Sequence, residues 1–145
     1  MNKKKLGNSL IGLLCLIYLI CVTSVNAVRY ISLKTTWENG TSVNGVAIQK
    51  NSYGLSGFNN VELIYEVDGK EVRTKALFDN KEIKAMEGVK GQKKEEVEIH
   101  YPEENPEKGV AEQQMLVIRN AVLLGVVLIP IVWVVLQVYI KSRKA

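Results

Sequence analysis

His100 is the sole histidine of the chain and sits in the run Glu95-Glu96-Val97-Glu98-Ile99-His100-Tyr101. An imidazole with carboxylates two and four residues away is raw material for a metal site or a pH-responsive pair. In a strand, residues two apart share a face, so Glu96, Glu98 and His100 are expected together on a solvated strand face. No second histidine and no cysteine at ligand spacing accompanies them, so no metal is expected. Serine and threonine are scattered, with no nucleophile elbow and no further imidazole to serve as base. The glycines form no phosphate-binding loop. The sequence therefore reads as that of a non-enzyme, with no cofactor and no small-molecule substrate.

The most distinctive polar motif is Pro102-Glu103-Glu104-Asn105-Pro106, followed by Glu107. Two prolines stiffen an acidic turn directly after a strand. Such a turn serves as a structural corner or as a preorganised contact loop. Pro102, Glu103, Glu104, Asn105 and Pro106 are accordingly the candidate contact residues. Asn39-Gly40-Thr41 matches the glycosylation sequon and is read as a turn.

The elements that must hold these residues follow from composition. The chain has 145 residues with a formal net charge of +4. All 15 acidic residues and 12 of the 19 basic ones lie within residues 29–112, which nets −3. The positive charge belongs to the tails, at Lys3, Lys4, Lys5, Arg119, Lys141, Arg143 and Lys144. No basic stripe with interleaved aromatics is present, so nucleic acid is not an expected partner.

Residues 10–28 and 121–140 are apolar runs. At about 1.5 Å rise per residue each is long enough to cross a hydrocarbon core of about 30 Å. Both short tails are basic, which by the positive-inside rule places both termini in the cytoplasm and the middle of the chain outside. Arg119, Tyr139 and Lys141 are the expected membrane-interface residues, Arg119 snorkelling to headgroups or pairing with a partner's acid. Trp133 is expected deeper, on lipid or against the first helix. Pro130 removes one backbone donor in mid-span. Cys15 and Cys21 are about 240° apart on a helix and cannot bridge each other there. A rival reading makes residues 1–27 a cleaved signal peptide, with Val25-Asn26-Ala27 as its cleavage site. The apolar run exceeds the usual signal length, which favours a retained anchor.

Between the spans, residues 60–78 alternate on both sides of Asp68-Gly69, a strong hairpin signal. A two-residue loop places Tyr65 opposite Val72, Leu63 opposite Thr74 and Val61 opposite Ala76 on one face. Glu62 then faces Lys75, Ile64 faces Arg73, and Glu66 meets Glu71 in a like-charge pair. Further strands are expected at 95–101, with Val97, Ile99 and Tyr101 inward, and at 43–50. A short helix is expected over 79–87, with Ile83 and Met86 three apart, and a loop over 52–60. Residues 29–37 continue the first helix, with Tyr30, Leu33 and Trp37 on one side. The predicted layout is a basic tail (1–9), a first span (10–28), a connector (29–40), a β-domain (41–115), a second span (116–140) and a basic tail (141–145). The fold class is membrane α+β, with two transmembrane helices flanking a small antiparallel sheet, open or barrel-like. A β-unit of this size is marginal by core burial alone. Its apolar face needs cover from its own curl, from the spans or from a partner.

The order of these elements resembles a bacterial two-span membrane family known as domain of unknown function 3592. The resemblance rests on an N-terminal span, Gly45-Val46 in a strand, Ile64-Tyr65-Glu66-Val67-Asp68-Gly69-Lys70, the lead-in Gly91-Gln92-Lys93, and a strand running into Tyr101-Pro102-Glu103-Glu104-Asn105-Pro106. Members commonly carry Tyr-Asp-Pro where this chain has Tyr-Pro-Glu, so a different turn is expected. The resemblance implies a bacterial cytoplasmic-membrane topology and a small β-domain, and no biochemistry. The expected partners are the lipid bilayer and either another protein or a second copy. Two functions are expected in turn: an interaction module or accessory subunit of a membrane complex, or an immunity protein that neutralises an envelope-acting toxin.

Overall fold

The computed structural model describes residues 3–50, 58–89 and 92–142, with side chains from residue 10 onward in the first segment and from 60 onward in the second. The elements run α1 (Lys3–Asn39), β1 (Thr41–Gln49), β2 (Phe58–Val67), β3 (Lys70–Asp79), α2 (Asn80–Ala85), β4 (Lys94–Tyr101), a 3-10 turn (Pro106–Lys108), β5 (Val110–Ala111) and α3 (Glu112–Ser142). They form two compact units, one of Met1–Arg29 with Arg119–Ala145 and one of Tyr30–Ile118.

Two helical stretches, Leu10–Asn39 of α1 and Glu112–Ser142, are long and apolar enough to cross a membrane, and most of each lies in the first unit. Their contacting sides are set by residue size. Gly12 leaves room for Leu136, and Gly125 leaves room for Thr23. Leu16, Thr23 and Leu136 are buried, whereas Leu14, Tyr18, Val127 and Val135 point away. Such close approach at small residues lets two apolar helices pack by shape. The Thr23 hydroxyl donates to the Leu19 carbonyl at 2.8 Å, so its polar group is satisfied within its own helix. Cys15 and Cys21 are free and exposed. Trp133 is also half-exposed at 48%, so it does not seal the helix pair. Pro130 lies inside α3.

In the second unit the β2–β3 hairpin has the predicted register, including Tyr65 opposite Val72 and the like-charge pair Glu66–Glu71. Its turn places both Asp68 (φ 50°) and Gly69 (φ 74°) in the left-handed region, as a type I′ turn requires. The sheet order is β3-β2-β1-β4-β5, all antiparallel. β3 and β5 do not pair, so the sheet is open and curled into a half-barrel. Phe78, Leu63, Ile99 and Val61 are the largest fully buried side chains among the described residues. Val72 and Tyr101 pack against this core from a half-buried position, less enclosed than the alternation alone implies.

The helix α2 plugs one side of the curl. Asp79 accepts from the Glu82 N–H at 2.8 Å as N-cap. Lys93 Nζ donates to the carbonyls of Ile83 and Lys84 at 3.0 and 3.3 Å, satisfying the last turn. This leaves Ile83 and Met86 to enter the core.

Three boundaries differ from the sequence reading. Residues 58–60, expected in a loop, already pair with β3, because Phe58 faces Asp79 and Asn60 faces Leu77; the rest of that expected loop lies outside the described residues. The connector at 29–40 is helical as far as Asn39. The α3 helix starts at Glu112, ahead of the apolar run, because Gln114, Val117 and Ile118 bury a helical face.

Candidate functional site: an acidic loop held by Tyr65

The candidate contact loop joins β4 to β5, and one tyrosine from the neighbouring hairpin holds its base. Tyr65 is only 3% exposed. Its hydroxyl donates to the Pro106 carbonyl and accepts from the Gly109 N–H at 3.0 Å. Two glycines make room for it. A Cβ on Gly109 would collide with the Tyr65 ring and with Ile99, and one on Gly45 would collide with Ile99 and the Ile64 carbonyl. The ring also stacks on Tyr101, the last residue of β4, at 6.0 Å between centroids. Burial pushes the Tyr65 hydroxyl up from its ordinary pKa, and the Gly109 N–H opposes this in part.

Within the loop, the Asn105 N–H donates to the Pro102 carbonyl at 3.0 Å and the Lys108 N–H to the Asn105 carbonyl at 3.1 Å. Pro106 stands at the start of the 3-10 turn, where its missing donor costs nothing. Thr41 Oγ1 donates to Glu103 Oε1 at 3.2 Å, tying the loop to the start of β1. Of the five expected contact residues, Glu103 and Glu104 are exposed, while Pro102, Asn105 and Pro106 are half-buried and form the frame. Glu107 is exposed beside them. The arrangement is a stiff, anionic projection suited to a basic surface. The sequence marked Tyr65 as a core residue and missed its role as the loop's anchor. Gly109, just after the second proline, was the available signal.

The strand face around His100 is a correction to the sequence reading. His100 is not a solvated residue: its side chain is 17% exposed. The Trp37 ring from the end of α1 stacks on it at 4.0 Å between centroids, with 27° between planes. His100 Nε2 lies 3.1 Å from Glu98 Oε1. Glu96 is exposed and takes no part in that contact. The expectation of Tyr30, Leu33 and Trp37 on one helix side holds, since all three are half-buried. Trp37 acquired a partner that only the β4 register brings near.

Elsewhere on the sheet, Glu62 binds Lys50 at 2.8 Å and Arg73 at 3.6 Å, and Arg73 also binds Glu71 at 2.6 Å. The second contact relieves the Glu66–Glu71 repulsion at the hairpin end. The hydrogen bond from Lys50, more than the nearby positive charges, holds the Glu62 carboxyl below its ordinary pKa; residual burial works against this. An open groove of about 510 Å³ runs past Val46, Ala85, Glu87, Lys94, Glu95 and Glu96. Among the described residues no group of three or more His, Cys, Asp or Glu side chains is placed to hold a metal ion. In the helix unit, Arg119 and Lys141 are exposed and Tyr139 is half-buried. No family model, curated protein or solved structure matches the chain.

Proposed function

We propose that this chain is a non-enzymatic, membrane-anchored interaction protein, a subunit or accessory of a membrane complex. In this reading α1 and α3 cross a bacterial cytoplasmic membrane with both termini in the cytoplasm. The half-barrel lies outside and meets a basic surface on another protein through Glu103, Glu104 and Glu107. The family membership suggested by the resemblance above belongs to the same proposal and adds no chemistry to it.

The observation that carries the reading is the pinned base of the acidic loop. A loop held by a buried tyrosine, two prolines and a 3-10 turn loses little freedom on binding, and its carboxylates remain available. Exposed charges of one sign steer encounter and set partner choice more than they add affinity.

The test is a mild-detergent purification from native membranes with a tag on the C-terminus. The expected result is a stoichiometric partner that is lost when Glu103, Glu104 and Glu107 are changed together to lysine. Retention of the partner by that variant sinks the role of the loop. Recovery of the chain only as a multiple of its own mass replaces the foreign partner with a second copy.

A further inference from the structure

We propose that His100 and Trp37 form a proton-operated latch between the end of α1 and strand β4, closed when His100 is neutral and opened when it is protonated. The argument begins with the ring's tautomer. Glu98 Oε1 lies 3.1 Å from His100 Nε2, and a carboxylate only accepts, so Nε2 carries the hydrogen of the neutral ring. A second proton then has one destination, Nδ1. That atom is shielded from water and has no hydrogen-bond partner among the described residues.

Protonation therefore creates a buried donor with nothing to receive it, a state that folded proteins avoid. The relief is for the ring to turn toward water and leave the Trp37 face. The groups around the ring set the balance. On β4, the Glu98 carboxylate that meets Nε2 is 57% exposed. On α1, Trp37 is flanked by Lys34 and Glu38, which bind each other at 3.5 Å. The residues opposite His100 are Ser42 on β1 and Val110 on β5, neither of which titrates. Glu112 opens α3 next to β5. No basic side chain among these contacts the ring, and no acceptor reaches Nδ1. The latch is independent of the partner reading, because it concerns only how α1 is held to the sheet.

The experiment uses the full chain in detergent micelles with Trp133→Phe, so that Trp37 is the one emitting tryptophan. Acrylamide quenching of Trp37 is followed as pH is lowered from about 8 to about 5. Accessibility is expected to rise several-fold across that range and to stay flat in His100→Phe, whose ring stacks without titrating. Glu98→Gln is a second variant that keeps the imidazole and takes the carboxylate from Nε2; the rise is expected to persist in it, because the latch turns on Nδ1. Trp37 that stays equally shielded across the range overturns the latch. So does the same rise in His100→Phe, which would assign the transition to Glu38, Glu98 or Glu112. An imidazole proton found on Nδ1 rather than Nε2 at neutral pH, read from nitrogen–proton couplings, overturns its premise.

Discussion

Tyr65 shows how one side chain converts a turn into a fixed surface. Its ring fills space left by Gly109, and its hydroxyl serves Pro106 and Gly109 together. Tyr65→Phe keeps the ring but strands a buried N–H and a carbonyl, so it is expected to cost about 1–3 kcal/mol in denaturant unfolding. The pH dependence follows from the raised hydroxyl. A group that holds its proton more tightly when folded contributes stability below its unfolded pKa of about 10, lost as pH rises through the folded value. Alkaline destabilisation is thus expected to be smaller in Tyr65→Phe than in the parent chain. Glu62 has the opposite sign, since its carboxyl is held low by Lys50 and then by the nearby positive charges. Its contribution is present above the unfolded carboxyl value and lost as pH falls through the folded one. Glu62→Gln is expected to flatten the acid limb of the stability profile, and an unchanged limb would show that the pair is fully screened.

At the scale of elements, two short features decide how larger ones sit. The α2 helix has only six residues, too few to persist without caps and packing. Removing its N-cap with Asp79→Ala is expected to cost about 1 kcal/mol and to loosen Ile83 and Met86 from the core, seen as faster amide exchange in α2. The apolar helices are held by size complementarity. In Gly125→Leu, the new side chain meets Thr23, whose Oγ1, Cγ2 and Cβ crowd the place where even a first added carbon would stand. Thermal unfolding in detergent is expected to shift down for that variant, while Val127→Leu, on an exposed position, leaves it unchanged.

For the whole molecule, the proposal to test is that both apolar helices cross a membrane with the half-barrel outside. Cys15 and Cys21, the two cysteines of the chain, are first replaced by serine, and single cysteines are then placed at Glu104 and Ser142. An impermeant maleimide is expected to label position 104 in intact cells and position 142 only after permeabilisation. The reverse pattern would sink the proposed topology. A mature chain lacking its first 27 residues would turn the first span into a signal peptide.

Much of this architecture was legible in the order of residues because its causes are local. Two apolar runs with basic flanks specify two long helices, and Asp68-Gly69 between alternating segments specifies a hairpin and its register, since a one-residue slip would turn every apolar side chain outward. The two prolines marked the acidic loop. What sequence could not provide were contacts between residues far apart in the chain. Tyr65 is 41 residues from Pro106 and 44 from Gly109, and Trp37 meets His100 only through the β1–β4 pairing. The helical start at Glu112 was hidden for the same reason, because Gln114 declares no apolar face and is buried only in the folded chain. Local patterning thus determined the elements and the hairpin's inward face. Tertiary packing decided that the sheet stays open, that the acidic loop is pinned by a tyrosine, and that the histidine expected in water lies under a tryptophan.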